Sequence, residues 1–292
     1  MPSTPAHCPA RPPSPTSSAG RAHATTWDGL SRLAFATDWD PETAIDWGRP
    51  VEVGPIRDAW VEILDTFYAG EWQGLEIIQR LMNRAAHRFG EPAMVTYYST
   101  QCYDESKHLF VFRRYLEKLG ARPSRRHNVD LLVELATRGP LPVERWMIAT
   151  YFTETLAAAI FQAALESPGI DATGRELIRL MLKDESRHIA GTRLAVTAVL
   201  ARTGRFQAAL LRAWWSAFLG LAVREIRKLA PHGARVGIDG ETVLRQTFAQ
   251  MAGLPRFEAL FLRGALARTF LSVNESPPPG HGPGLEKASG GR

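Results

Sequence analysis

The phrase Asp-Glu-Ser-basic-His occurs twice in the chain, as DESKH at residues 104–108 and DESRH at residues 184–188. Each contains Glu-x-x-His, and on an α-helix residues i and i+3 lie one above the other on one face. Each phrase therefore offers a carboxylate and an imidazole to one point, Glu105 with His108 and Glu185 with His188. One such pair is usually a solvated Glu beside a His of a polar stripe. Two copies constrain the fold far more if both fall on a buried face, and the hydrophobic spacing puts them there. Around the first copy Met94, Tyr98, Gln101, Phe112, Tyr115 and Leu119 keep the three-four spacing; around the second Ile178, Met181, Thr192, Ala195 and Val199 keep it. Buried carboxylates are costly unless paired or metal-bound. The pattern predicts two facing helices with metal ions between them.

Two further long helices bring one carboxylate each. Residues 56–89 carry the stripe Trp60, Leu64, Phe67, Glu71, Leu75, Ile78, Met82 and Ala85, whereas Glu76 falls on the opposite face with Glu62, Asp65, Gln73, Arg80 and Asn83. Glu71 is thus the candidate ligand and Glu76 the solvated acid. A helix starting near Pro142 buries Val143, Met147, Thr150, Ala157, Phe161 and Leu165, and Glu154 interrupts that face. Gly90 with Pro92, Gly120, Gly139-Pro140, Pro168-Gly169 and Gly204 punctuate the segments. The order is Glu, Glu-x-x-His, Glu, Glu-x-x-His, the donor set of helical bundles that hold two carboxylate-bridged metals. The predicted fold class is all-α: a ferritin-like four-helix bundle with additional C-terminal helices.

The rest of the chain is less specific. Residues 1–25 and 276–292 are rich in Pro, Gly, Ser and Ala and read as disordered tails around one domain, 26–275. Residues 26–56, with Trp27, Trp39 and Trp47, read as an irregular arm whose aromatics pack on the helical body. A short helix, 129–137, is expected after a cap at Asn128, and amphipathic segments at 206–229, 241–252 and 255–271. Arg113, Arg114, Lys118, Arg122, Arg125, Arg126 and His127 make a basic segment, either a solvated surface or a dock for an acidic partner. The net charge of +5 is too small and dispersed to argue for nucleic acid. With two cysteines, no apolar N-terminal stretch, and a longest apolar run (213–223) too short for a bilayer, a cytoplasmic protein without a membrane span is expected.

The segment GEWQG at residues 70–74, together with DESKH and DESRH, resembles the ferritin-like di-iron oxygenases. That group includes the bacterial multicomponent hydroxylases, the arylamine N-oxygenases, the acyl-carrier-protein desaturases and the ribonucleotide reductase small subunit. The resemblance covers residues 56–202. It implies Glu71, Glu105, His108, Glu154, Glu185 and His188 as ligands of two iron ions, or of a Mn/Fe pair. It also implies that Asp104 holds His188 and Asp184 holds His108; the alternative for these Asp residues is a surface ion pair with Lys107 or Arg187. Implied partners are dioxygen, a small or carrier-bound organic substrate and an external ferredoxin or reductase; a homodimer is also expected as an option. The implied reaction is hydroxylation, N-oxygenation or desaturation, with a ferroxidase or a radical-generating subunit as the alternatives.

Three positions depart from subfamily patterns. Phe112 stands where the reductase subunit stores a radical on Tyr, Met181 where the N-oxygenases add a seventh ligand, a His, and Ala158 where many hydroxylases have Thr. Gly74 and Ala158 either leave room for a substrate or serve close helix packing. Tyr98, Tyr151 and Cys102 lie near the expected site, with packing as their default role.

Overall fold

Alternating apolar stripes and glycine stops produce the expected helices. The structure is a computed structural model that describes residues 26–124 and 130–264. Its first helix, α1 (Trp27–Ala36), precedes a 3-10 turn (Gly54–Ile56) and the long helices α2 (Arg57–Phe89) and α3 (Ala93–Lys118). Then come α4 (Asp130–Thr137), α5 (Pro142–Glu166), α6 (Ala172–Arg202), α7 (Arg205–Val236), α8 (Gly240–Ala252) and a turn, Pro255–Phe257, that runs into a π-helical turn, Glu258–Leu262. The described residues contain no strand. Gly90 closes α2 in the left-handed region at φ 66°, and Gly120 follows α3 at φ 69°, conformations that cost glycine little. Asp171 caps α6 by accepting from the Gly174 amide at 3.0 Å.

The bundle is two helical hairpins, α2 on α3 and α5 on α6, brought together where α3 meets α6. Each hairpin has a short connection, which makes its helices antiparallel neighbours. Two apolar clusters fill it. One gathers Met94, Tyr98, Trp146, Phe152, Val199 and Trp215. The other gathers Trp60, Leu64, Phe112, Phe161, Ile178 and Met181. Along all four helices, the predicted acidic and histidine residues fall between the two. The core is thus cut by a polar belt at mid-height. Close approach of α3 and α6 beside it requires Gly191: a Cβ there would lie 2.1 Å from the Tyr97 hydroxyl, which donates to the Arg187 carbonyl.

Several expectations change. The arm at 26–56 begins with a regular helix, α1, capped by Thr26, whose hydroxyl accepts from the Gly29 amide at 3.1 Å. It lies across α3 and α6. α7 continues past Pro231 to Val236 and stops at Gly237, because one proline removes one intrahelical hydrogen bond and the buried face resumes after it with Gly233 and Val236. α5 and α7 are each long and apolar enough to cross a membrane by length and composition; counting an uninterrupted apolar run hid this, since isolated polar residues divide it. Arg114 pairs with Glu42 and stacks on Trp47, and Lys118 donates to the Trp47 carbonyl. Part of the basic segment therefore holds the arm. The expectations for residues 1–25, 276–292, Asn128, Arg125, Arg126, His127 and the distal part of 255–271 lie outside the described residues.

Candidate metal centre

α3 and α6 place Glu105, His108, Glu185 and His188 in the belt, all nearly or fully buried, and α2 and α5 add Glu71 and Glu154 from either side. The six residues form two adjoining groups, Glu71–His108–Glu185 and Glu105–Glu154–His188, with donor atoms within 4.8 Å of one another in each. The imidazole centroids are 5.9 Å apart.

The pairing is more crossed than the sequence suggests. Glu105 lies 3.6 Å from Nδ1 of its own-helix partner His108 through one oxygen and 3.6 Å from Nδ1 of His188 through the other. Glu185 likewise reaches His188 at 3.6 Å and His108 at 3.8 Å. Each of these acids therefore spans both groups, while Glu71 approaches only His108, at 3.7 Å, and Glu154 only His188, at 3.7 Å. Two acids are central and two are terminal.

Both histidines are oriented from behind. Nε2 of His108 lies 3.4 Å from Asp184, and Nε2 of His188 lies 3.3 Å from Asp104. A carboxylate at Nε2 fixes the tautomer and turns the Nδ1 lone pair toward the centre. The ion-pair reading of these Asp residues also holds, though in the interior. Lys107, 3% exposed, lies 3.0 Å from Asp104 and 3.5 Å from Asp184. Arg187 binds Asp104 and, at 3.0 Å, Asp184. Two buried anions and two buried cations thus pair, and Lys107 also donates to the exposed Asp38 at 2.8 Å. Burial opposes ionisation of Asp104, but His188 and Arg187 hold its carboxyl at about 2; Asp184 is held well below the usual range by His108, Lys107 and Arg187.

The sequence reading missed three residues here. Trp39, placed only as a packing residue, donates Nε1 to Asp184 at 2.7 Å, and the Lys107 ammonium lies 4.7 Å over its ring. Gln101, one turn before Glu105, donates to Glu154 at 3.0 Å and to Glu105 at 3.3 Å. Its place on the α3 stripe was the available signal. Gln73, assigned to the polar face of α2, is buried. Glu76 is exposed and paired with Arg80, as expected. Met181 and Phe112 are fully buried, Phe112 against Phe67 and Phe161. Tyr98 packs among Trp27, Tyr97 and Trp146. Burial pushes the Cys102 thiol up to about 11.

The belt fits metal ions. Nδ1 of both histidines, Nε2 of His108, and one oxygen each of Glu105 and Glu185 are buried without a hydrogen-bond partner. Such orphaned groups are costly unless something else satisfies them. Four hard carboxylates and two imidazoles suit iron or manganese. Burial and Glu105 push the Glu71 carboxyl up to about 8, and burial and Glu154 raise Glu185. Burial alone would lower His108 and His188, but the surrounding carboxylates raise both. Such a cluster holds protons in place of cations.

The terminal acids open onto a cavity of about 290 Å³ between α2 and α5, closed over by α4, α7 and the start of α8. Glu71, Glu105, Glu154 and Glu185 line its inner end, and most of the remaining wall is apolar. Gly74 lines it, and a Cβ there would meet nothing within 4 Å. Ala158 does not; its neighbour Ala157 does, a shift of one position in helical phase.

Known structures share the architecture. A variant of an R2-like ligand-binding oxidase with an aerobically reconstituted Mn/Fe cofactor superposes with a TM-score of 0.60 at 17% identity, over 80% of this chain and 96% of that one. Another variant of that oxidase, anaerobically reconstituted, gives 0.59 at 16% identity, over 80% and 93%. Sequence comparison with curated proteins gives no match. The family model described as P-aminobenzoate N-oxygenase AurF matches residues 69–260, a span that takes in every belt residue, and the chain belongs to this family of di-iron oxygenases.

Proposed function

We propose that the protein oxidises the nitrogen of a small arylamine with dioxygen, on two iron ions held by Glu71, Glu105, His108, Glu154, Glu185 and His188. That it is a dioxygen-dependent di-iron oxidoreductase follows from its family; the ligand set, the N-oxygenation and the arylamine are the proposal. The observation that carries it is the apolar cavity whose inner end is formed by the same glutamates that would bind the metals. A protein that only oxidises iron has no use for such a space; an oxygenase needs it to seat a substrate.

Bound iron supplies the reaction with dioxygen. The chain's residues do the rest. Asp104 would keep the Nε2 proton of His188, and Asp184, 3.4 Å from Nε2 of His108, lies on the corresponding side of that ring, leaving Nδ1 of both for the metals. Glu105 and Glu185, each near both histidines, and Glu71 and Glu154, each near one, would hold the ions. Gln101 restrains Glu154 and Glu105 through its amide. The apolar cavity wall would seat the ring of the amine with its nitrogen toward the Glu71–Glu154 side. The third histidine of the N-oxygenases is replaced by Met181, so the ligand set has two histidines. Electrons are proposed to come from an external ferredoxin or reductase.

The test is anaerobic loading with ferrous iron, then one exposure to ¹⁸O₂ with a panel of arylamines. The expected result is labelled hydroxylamine, nitroso or nitro product in proportion to iron. Iron oxidation with no labelled product from any amine contradicts the proposal.

A further inference from the structure

A threonine in a helix commonly turns its hydroxyl back onto the carbonyl three or four residues earlier. Three threonines line the cavity: Thr66, Thr150 and Thr153. Thr66 donates to the Glu62 carbonyl at 2.9 Å, and Thr153 to the Thr150 carbonyl at 3.2 Å. Thr150 is the exception. Among the described residues, no group accepts from its hydroxyl or donates to it. Water that satisfies this hydroxyl in the empty cavity must leave when an aromatic ring enters, at a cost unless the guest takes its place.

Its position is next to the belt. Thr150 precedes Glu154 on α5 by one turn, about 6 Å along the axis, and both residues line the cavity. α2 runs past α5 in the opposite direction: Ile78 and Trp146 share one apolar cluster, and Ile63 and Phe161 share the other. Gly74, one turn after Glu71, therefore lies on the same side of the belt as Thr150. A Cβ at Gly74 would meet nothing within 4 Å. With two ions bound as proposed, the belt glutamates are committed to them. The Thr150 hydroxyl is then an acceptor one turn from the metals that the protein itself does not use.

We propose that Thr150 positions the substrate nitrogen: its hydroxyl accepts an N–H of the arylamine and turns the nitrogen lone pair toward the metals. The proposal rests on the N-oxygenase reading and deepens it, by naming the group that tells an amine from a hydrocarbon of the same shape. A hydroxyl both accepts and donates. Thr150 can therefore keep its hydrogen bond when the amine becomes a hydroxylamine or a nitroso compound, whose oxygen accepts. Valine has nearly the same shape and neither capacity; serine keeps both.

The experiment uses iron-loaded protein without oxygen and isothermal titration calorimetry. The ligands are 4-ethylaniline and 4-ethyltoluene, which exchange NH₂ for CH₃, with 4-aminobenzoate and 4-methylbenzoate as a second pair making the same exchange. Thr150→Val is expected to lower the preference for the amine by about fivefold or more in whichever pair binds. Thr150→Ala, which adds no bulk, should do the same, and Thr150→Ser should keep the preference within about twofold. All three variants should keep the iron content of the unaltered protein. An unchanged preference in Thr150→Val and Thr150→Ala overturns the proposal. Equal weakening of the amine and its methyl analogue also overturns it, as a loss of packing. Iron lost from Thr150→Val and kept in Thr150→Ser overturns it in favour of a hydroxyl that serves Glu154. Labelled amine product on oxygenation, with the preference unchanged in the variants, overturns only the role of Thr150. A preference lost in Thr150→Val, with no amine product from the unaltered protein, upholds the hydrogen bond and overturns the N-oxygenase reading instead. Binding of neither amine overturns both.

Discussion

The two sides of the belt are built on opposite principles. Toward α1, behind the histidines, every strong charge is matched: Asp104, Asp184, Lys107 and Arg187 close on one another, and Trp39 seals Asp184. Toward α2 and α5, Glu71 and Glu154 face an apolar cavity. A buried network of paired charges resists displacement because separating any pair orphans a charge. An apolar cavity tolerates a guest because little in its wall must be re-satisfied. On the proposed reading, one side would fix where the metals sit and the other would admit what reacts with them.

Variants should separate the two sides. The largest effect is expected at the ligands: Glu71→Ala should remove one of two irons per chain and abolish product, while Glu76→Ala on the exposed face should change neither, as metal analysis will show. Equal loss in both would mean that α2 is phased wrongly. Next is Asp184→Asn, which unbalances those paired charges and loosens His108; iron affinity or turnover should fall about 10–100-fold. On the cavity side, Gly74→Leu places a side chain in open space. It should cut product formation at least tenfold while leaving two irons bound, read from product yield per iron. The smallest effect is expected for Trp39→Phe, which loses one hydrogen bond to a charged group and keeps an aromatic, though smaller, ring. Its cost is about 1.5–3 kcal/mol, read as a lowered melting temperature with little change in product.

Acidity gives a second contrast, through metal removal. In the iron-free protein Glu71 is raised from 4.5 to about 8, and His108 and His188 are raised as well. A raised folded-state pKa contributes stability below the unfolded value and loses it as pH climbs through the folded one. The iron-free protein should therefore lose stability between about pH 5 and 8. Ions that replace those protons should reverse the trend, so that iron affinity rises over the same window. Thermal melts with and without iron across this range check the sign.

The four long helices and the buried positions of Glu105, His108, Glu185 and His188 were legible because one apolar stripe repeats at helical spacing over six or more turns. What failed was whatever depends on a second neighbour. Gln73 looked solvated because only the α3-facing stripe of α2 was considered, yet α7 covers another face. Ala157 rather than Ala158 lines the cavity for the same reason: a wall shared by α2, α5 and α7 is not visible in one helix's period. Trp39 reaches Asp184 across 145 positions of chain, and no local pattern encodes such a bond. α1 is ten residues long, short enough that its tertiary seat, more than its own propensity, makes it helical.

The central claim is that the belt holds two metals, one on each three-residue group. Its most direct test is anomalous diffraction at the iron edge from crystals loaded with ferrous iron. Two peaks are predicted, about 3–4 Å apart, both between Glu105 and Glu185, one beside Glu71 and His108 and the other beside Glu154 and His188. A single peak, or peaks elsewhere in the folded protein, would contradict the account.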